Sequence, residues 1–193
     1  MREITVRLDE LKDKLLDPKF LSNKGLGNEV GFYIFDYPPE EELVVRESIP
    51  DLKRYLEREK NDVHIQIFDL YEIIIEFFEQ RGYMEKNFKM ELAKSSEDLF
   101  DKMRKALKIA TNNDWIVRYI EEHLKPDAIV FIVGVGKAYP IIRSHIILNN
   151  LQTVVEEKPL ILFYPGSYQD GSLQLFNKFT DDHYYRAFKM VED

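Results

Sequence analysis

The sequence predicts an α/β protein: a three-layer arrangement with a mostly parallel sheet flanked by helices. Two continuous apolar runs, Ala128–Val133 and residues 160–164, read as strands buried on both faces. The first run enters a glycine turn, Gly134-Val135-Gly136, and then a helix-forming stretch, which makes half of a βαβ unit. Amphipathic segments of helical period separate the strand candidates along the rest of the chain. The layering expected is that of P-loop or Rossmann proteins without an intact phosphate-binding loop. In such sheets ligands bind beyond the carboxyl ends of the strands.

In chain order, Ile4, Leu8, Leu11 and Leu15 recur at helical spacing, so residues 3–16 form an amphipathic helix that Asp17-Pro18 ends. Residues 22–29 are a polar, glycine-bearing loop, and residues 30–35 the first strand. Pro39 opens a helix with Glu40, Glu41 and Glu42 in its first turn, which suits the helix dipole. Pro50 is expected to interrupt it, leaving a second segment to about Lys60. Residues 64–68 form a strand. Asp69 then caps a helix with Glu72 three residues on, and Gly82 stops it. Residues 85–125 contain no strand candidate and read as a helical insert of two or three helices within a single domain spanning 1–193. Pro140 suits the first turn of a helix over 140–150. Residues 165–171 form a loop, and residues 173–176 and 184–191 short edge strands.

Composition narrows the function. With 193 residues, 45% hydrophobic and 32% charged, the chain has the make-up of a globular domain. A net charge of -8 disfavours direct nucleic-acid binding. The absence of cysteine excludes thiol nucleophiles and thiolate metal sites. No apolar run is long enough for a membrane span, and a cytoplasmic location is expected.

No complete catalytic motif is present. A phosphate-binding loop needs a glycine five positions before Gly136 and a hydroxyl after Lys137, but Phe131 and Ala138 stand there. The dinucleotide fingerprint fails at Tyr139. The turn can still offer amides and a cation, so Gly134, Gly136, Lys137 and Arg143 are candidate anion-binding residues, set against a plain strand–helix turn. Asp36 and Asp69 end apolar strands, where a metal carboxylate would sit, although a helix or turn cap explains each more simply. The four histidines show no ligand spacing, so no catalytic residue, metal site or cofactor is assigned. Aromatic and turn residues concentrate near the C-terminus. Tyr164, Tyr168, Asp170, Tyr184, Tyr185 and Arg186 are candidate partner contacts, because Tyr and Arg often anchor interfaces.

Several longer motifs carry a resemblance. They are Leu26-Gly27-Asn28-Glu29, Phe32-Tyr33-Ile34-Phe35-Asp36-Tyr37-Pro38-Pro39, Gly134-Val135-Gly136 with Tyr139-Pro140 and Arg143-Ser144-His145, Leu148-Asn149-Asn150-Leu151-Gln152, Phe163-Tyr164-Pro165-Gly166 and Asp181-Asp182-His183-Tyr184-Tyr185-Arg186-Ala187-Phe188. Together they span nearly the whole chain, which resembles the BrxB family of BREX bacteriophage-exclusion systems. The resemblance implies a cytoplasmic defence component of bacteria or archaea, in a system that methylates host DNA and blocks phage replication. It implies action through partner proteins, above all the alkaline-phosphatase-like PglZ component, and brings no catalytic residues with it. The expectation is a non-catalytic adaptor or assembly subunit. The alternative is a nucleotide- or phosphate-binding enzyme that uses residues 134–137, with Asp36 or Asp69 holding a metal.

Overall fold

The computed structural model describes residues 2–21, 31–152, 154–155, 159–180 and 186–192. Helices α1 (Ile4–Leu16) and α2 (Pro18–Leu21) lead to β1 (Phe32–Tyr37), and a 3-10 turn at Pro39–Glu41 leads into α3 (Glu42–Glu59). Strand β2 (His64–Asp69) is followed by α4 (Leu70–Gln80), α5 (Met84–Ala93), α6 (Ser96–Leu107) and α7 (Trp115–His123). Strand β3 (Ala128–Val133) feeds α8 (Val135–Ala138) and α9 (Ser144–Leu151). The chain closes with β4 (Leu160–Gln169), β5 (Ser172–Leu175), β6 (Phe179–Thr180) and β7 (Ala187–Lys189).

The parallel strands lie in the order β2-β3-β4-β1-β7. Period-two alternation sends Phe35, Ile65, Ile129, Phe131, Ile161 and Phe163 to one face, under α1 and α3. Ile34, Phe68, Val130, Ile132 and Leu162 face the other side, under α4, α6, α7 and α9. This is the expected three-layer α/β arrangement. The helical stretch 85–125 joins the second core through Leu99, Met103, Leu107, Ile116 and Ile120, whereas α5 adds only the partly buried Met84 and Met90. Among the described residues, no helix is long and apolar enough to cross a membrane.

Four expectations about the elements need correction. Strand β1 runs past the expected end at 35 to Tyr37, because β4 pairs with it as far as Pro165. Helix α3 passes unbroken through Pro50, which lies on its exposed side, where water can serve the carbonyl that proline leaves without a donor. Val45, Ile49, Leu52 and Leu56 hold one buried stripe across it. The helix predicted over 140–150 starts only at Ser144. Tyr139-Pro140 is a cis peptide in a turn, where Ala138 O accepts from Ile141 N at 2.9 Å. Residues 165–169 are strand, not loop. Pro165 accepts from Phe176 N at 2.8 Å as β4 turns into an antiparallel pairing with β5. Gly166 permits this, since a side chain there would overlap the Gln174 carbonyl.

Candidate functional site

Strand β1 leaves the sheet toward α3 on one face, whereas β2 and β3 leave toward α4 and α8 on the other. Their carboxyl ends therefore open a crevice of the kind α/β proteins use for ligands. A cavity of about 190 Å³ occupies it, floored by Ile49, Ile67, Val133 and Phe163 and rimmed by Tyr37, Glu42, Arg46, Asp69, Gly134 and Lys137.

Each charge at this rim has an internal partner. Asp69 caps α4, its Oδ1 accepting from Tyr71 N at 3.0 Å and Glu72 N at 3.3 Å. Its Oδ2 accepts from Lys137 Nζ at 2.6 Å, and Glu72 lies 3.6 Å from the same ammonium. Arg46 donates to Glu42 Oε1 at 2.8 Å, and Tyr37 donates to Glu42 Oε2 at 2.6 Å. Burial pushes the Tyr37 phenol well above its ordinary range, and the Glu42 charge adds to this, so Tyr37 stays a proton donor.

The two glycines are explained by packing. Gly134 adopts φ +75°, and a Cβ there would overlap the Asp69 carboxylate. At Gly136 a Cβ would stand 2.9 Å from the Phe176 ring and 3.2 Å from Pro165. The turn is thus pressed between the α4 cap and the β4–β5 hairpin. Helix α8 has four residues, too few to focus an anion at its N-terminus. Of the candidate anion-binding residues, Gly134 and Lys137 line this cavity, Gly136 packs against Phe176 and Pro165, and Arg143 lines another cavity with Tyr139 and Lys178.

Asp69 fulfils the capping expectation, but among the described residues Asp36 caps no helix. It is fully buried, receiving Arg7 Nη2 at 2.9 Å on Oδ1, and Tyr168 N at 2.9 Å and Lys189 Nζ at 3.3 Å on Oδ2. Arg7, also fully buried, donates to the Asp36 carbonyl at 2.6 Å and the Val191 carbonyl at 3.2 Å. This knot ties α1, β1, β4 and the C-terminal strand. Sequence reading missed Arg7, although it lies three residues after Ile4 and four before Leu11, on the buried stripe of α1.

The C-terminal candidates divide. Tyr164 (0% exposed) and Tyr168 (5%) belong to the core, and Tyr168 donates to the Ala187 carbonyl at 2.8 Å, so neither presents a ring to a partner. Asp170 is exposed in the β4–β5 turn, and Arg186 is exposed and donates to Gln152 Oε1 at 2.6 Å. Tyr184 and Tyr185, like the 22–29 loop, lie outside the described residues. Among the described residues, no three His, Asp or Glu side chains are grouped as a metal site requires.

Comparison with known proteins agrees with the motifs. A BREX protein BrxB of Bacillus cereus (strain H3081.97) is 50% identical over the full length of both chains. A BREX protein BrxB of Escherichia coli O9:H4 (strain HS) is 34% identical over 97% of this chain and 91% of its own. No solved structure matches the chain. The family described as BREX protein BrxB matches residues 66–190, so the chain belongs to the BrxB family.

Proposed function

We propose that this protein is a BREX phage-defence component that works as a non-catalytic adaptor, holding other BREX proteins together, the PglZ-like component first among them. Family membership supports the BREX role. One observation carries the adaptor reading. Helix α5 rests on the core only through the partly buried Met84 and Met90 and leaves Phe88 (56% exposed) and Leu92 (89%) on one face at i, i+4 spacing. Ordered apolar side chains set in solvent on a charged helix mark a contact surface. Asp170 and Arg186, at the other end of the sequence, form a second candidate surface. The rim charges of the strand-end cavity, by contrast, are neutralised within the fold.

The test is a pull-down of the full-length protein against the PglZ-like product of its own locus. Wild type binds, Leu92→Asp loses binding with an unchanged melting temperature, and Arg186→Ala tells whether the C-terminal surface contributes. Failure of wild-type protein to bind any BREX component would remove the adaptor reading.

A further inference from the structure

A second cavity, of about 230 Å³, opens at the start of α9. It differs from the strand-end crevice in one chemical respect. Arg143 and Lys178 line it, both exposed, and among the described residues neither has a carboxylate partner. Two cations in one cavity without a carboxylate partner among the described residues are unusual in a chain of net charge -8. Ser144 is 4% exposed and lines the same cavity, and its hydroxyl makes no hydrogen bond among the described residues. Helix α9 begins here without a side-chain cap and without an acidic residue in its first turn. The Ser144 amide, at its first position, therefore adds to the donor set, while those of Ile146 and Ile147 donate to the Arg143 carbonyl. On the cavity's other side, Phe179 (46% exposed) stacks on Tyr139 with ring centroids 5.0 Å apart and an interplanar angle of 26°. Tyr139 is itself braced edge-on by Phe176 at 6.5 Å.

We propose that this cavity binds a nucleoside monophosphate, its phosphate held by Arg143, Lys178 and the Ser144 hydroxyl, and its base stacked on Phe179. Two cations, a hydroxyl and the Ser144 amide match a phosphate dianion better than a single carboxylate, which has fewer oxygens to satisfy. The exposed, backed ring offers the flat platform on which a base of any identity can stack. The volume accommodates the phosphate and sugar, leaving the base at the mouth, where Phe179 is exposed. This site is separate from the glycine turn and independent of the adaptor reading.

The experiment is calorimetric titration of the full-length protein with adenosine 5′-monophosphate, inorganic phosphate and adenosine at low ionic strength. The monophosphate is expected to bind more tightly than either fragment and to weaken as salt rises. Arg143→Gln and Lys178→Gln should each weaken it by about tenfold or more, the loss typical of a hydrogen bond to a charged group. Phe179→Ala should weaken the monophosphate by about tenfold and leave inorganic phosphate unchanged. Lys137→Gln should change nothing. These side chains are exposed, so melting temperatures should hold and folding is not at issue. No heat with the monophosphate would overturn the site, as would binding insensitive to Arg143→Gln and Lys178→Gln. Binding only of a 5′-phosphorylated single-stranded oligonucleotide would overturn the mononucleotide assignment. Loss of PglZ-like binding in the pull-down would leave these results untouched, so the two readings fail separately.

Discussion

Lys137 and Arg143 stand six residues apart in one connection, yet the fold treats them in opposite ways. Lys137 follows the conspicuous glycine turn and is held 2.6 Å from Asp69, with Glu72 behind it. Arg143 follows the Tyr139-Pro140 turn and lines a cavity with Lys178, with no carboxylate partner among the described residues. The cation that resembled a phosphate ligand in the sequence is part of the scaffold, while the other is available. Availability depends on the carboxylates that the tertiary structure brings near, and a motif around the cation does not report them. Arg7 extends the comparison to the limit. It is fully buried and its charge is met by Asp36 and two carbonyls.

Substitutions should follow this ranking, and each can break it. The largest loss is expected for Asp36→Asn, which removes the buried carboxylate charge that faces Arg7 and Lys189. A drop of about 3–5 kcal/mol is the usual result of breaking a buried pair, read by guanidinium denaturation. A drop below about 1 kcal/mol, the level of an exposed pair, would mean that water reaches the knot. Next is Gly134→Ala, which combines a positive φ with displacement of the α4 cap. About 2 kcal/mol is expected from those two effects together, and it should appear as a lower denaturation midpoint with an unchanged slope. Lys137→Met removes a partly exposed ion pair and should cost about 1 kcal/mol or less. Arg143→Gln and Lys178→Gln should stay within about 0.5 kcal/mol of wild type, since among the described residues neither has a carboxylate partner to lose.

The smallest effect is a dependence on pH. Asp114 caps α7, accepting from Ile116 N at 3.0 Å, and its other oxygen accepts from Ala110 N at 3.0 Å. Burial pushes its carboxyl above the ordinary range, although these backbone donors oppose the shift. The folded state therefore holds this proton more tightly than the unfolded chain. The stability it contributes is fully present below the unfolded value and is lost as pH rises through the folded one. Denaturation midpoints of wild type and Asp114→Asn across mildly acidic pH should differ in slope, the variant lacking this descent. Parallel profiles would show that the cap hydrogen bonds cancel the burial.

Much of the fold was legible in the sequence because its causes are local. Apolar runs marked β3 and the start of β4, and Asp69 announced α4 through a capping pattern that needs only neighbouring residues. The candidate site was legible only in part. Gly134 and Lys137 were correctly placed at a strand end, but their neighbours Arg46 and Glu42 come from a helix some ninety residues earlier in the chain. Tyr168 looked like an exposed loop aromatic because Pro165-Gly166 reads as a turn. The β5 pairing that makes it strand is an interaction between segments.

By itself, then, the sequence determined the α/β class, the positions of most helices and strands, and the family. These rest on periodicity, capping and long motifs carried within short stretches of chain. Only the tertiary structure decided which charges are spent inside the protein and which face outward. Arg7, Lys137, Arg143 and Lys178 carry the same charge in the sequence. Their roles diverge because a carboxylate's field and the loss of water act over a few ångströms of space, whatever the separation along the chain.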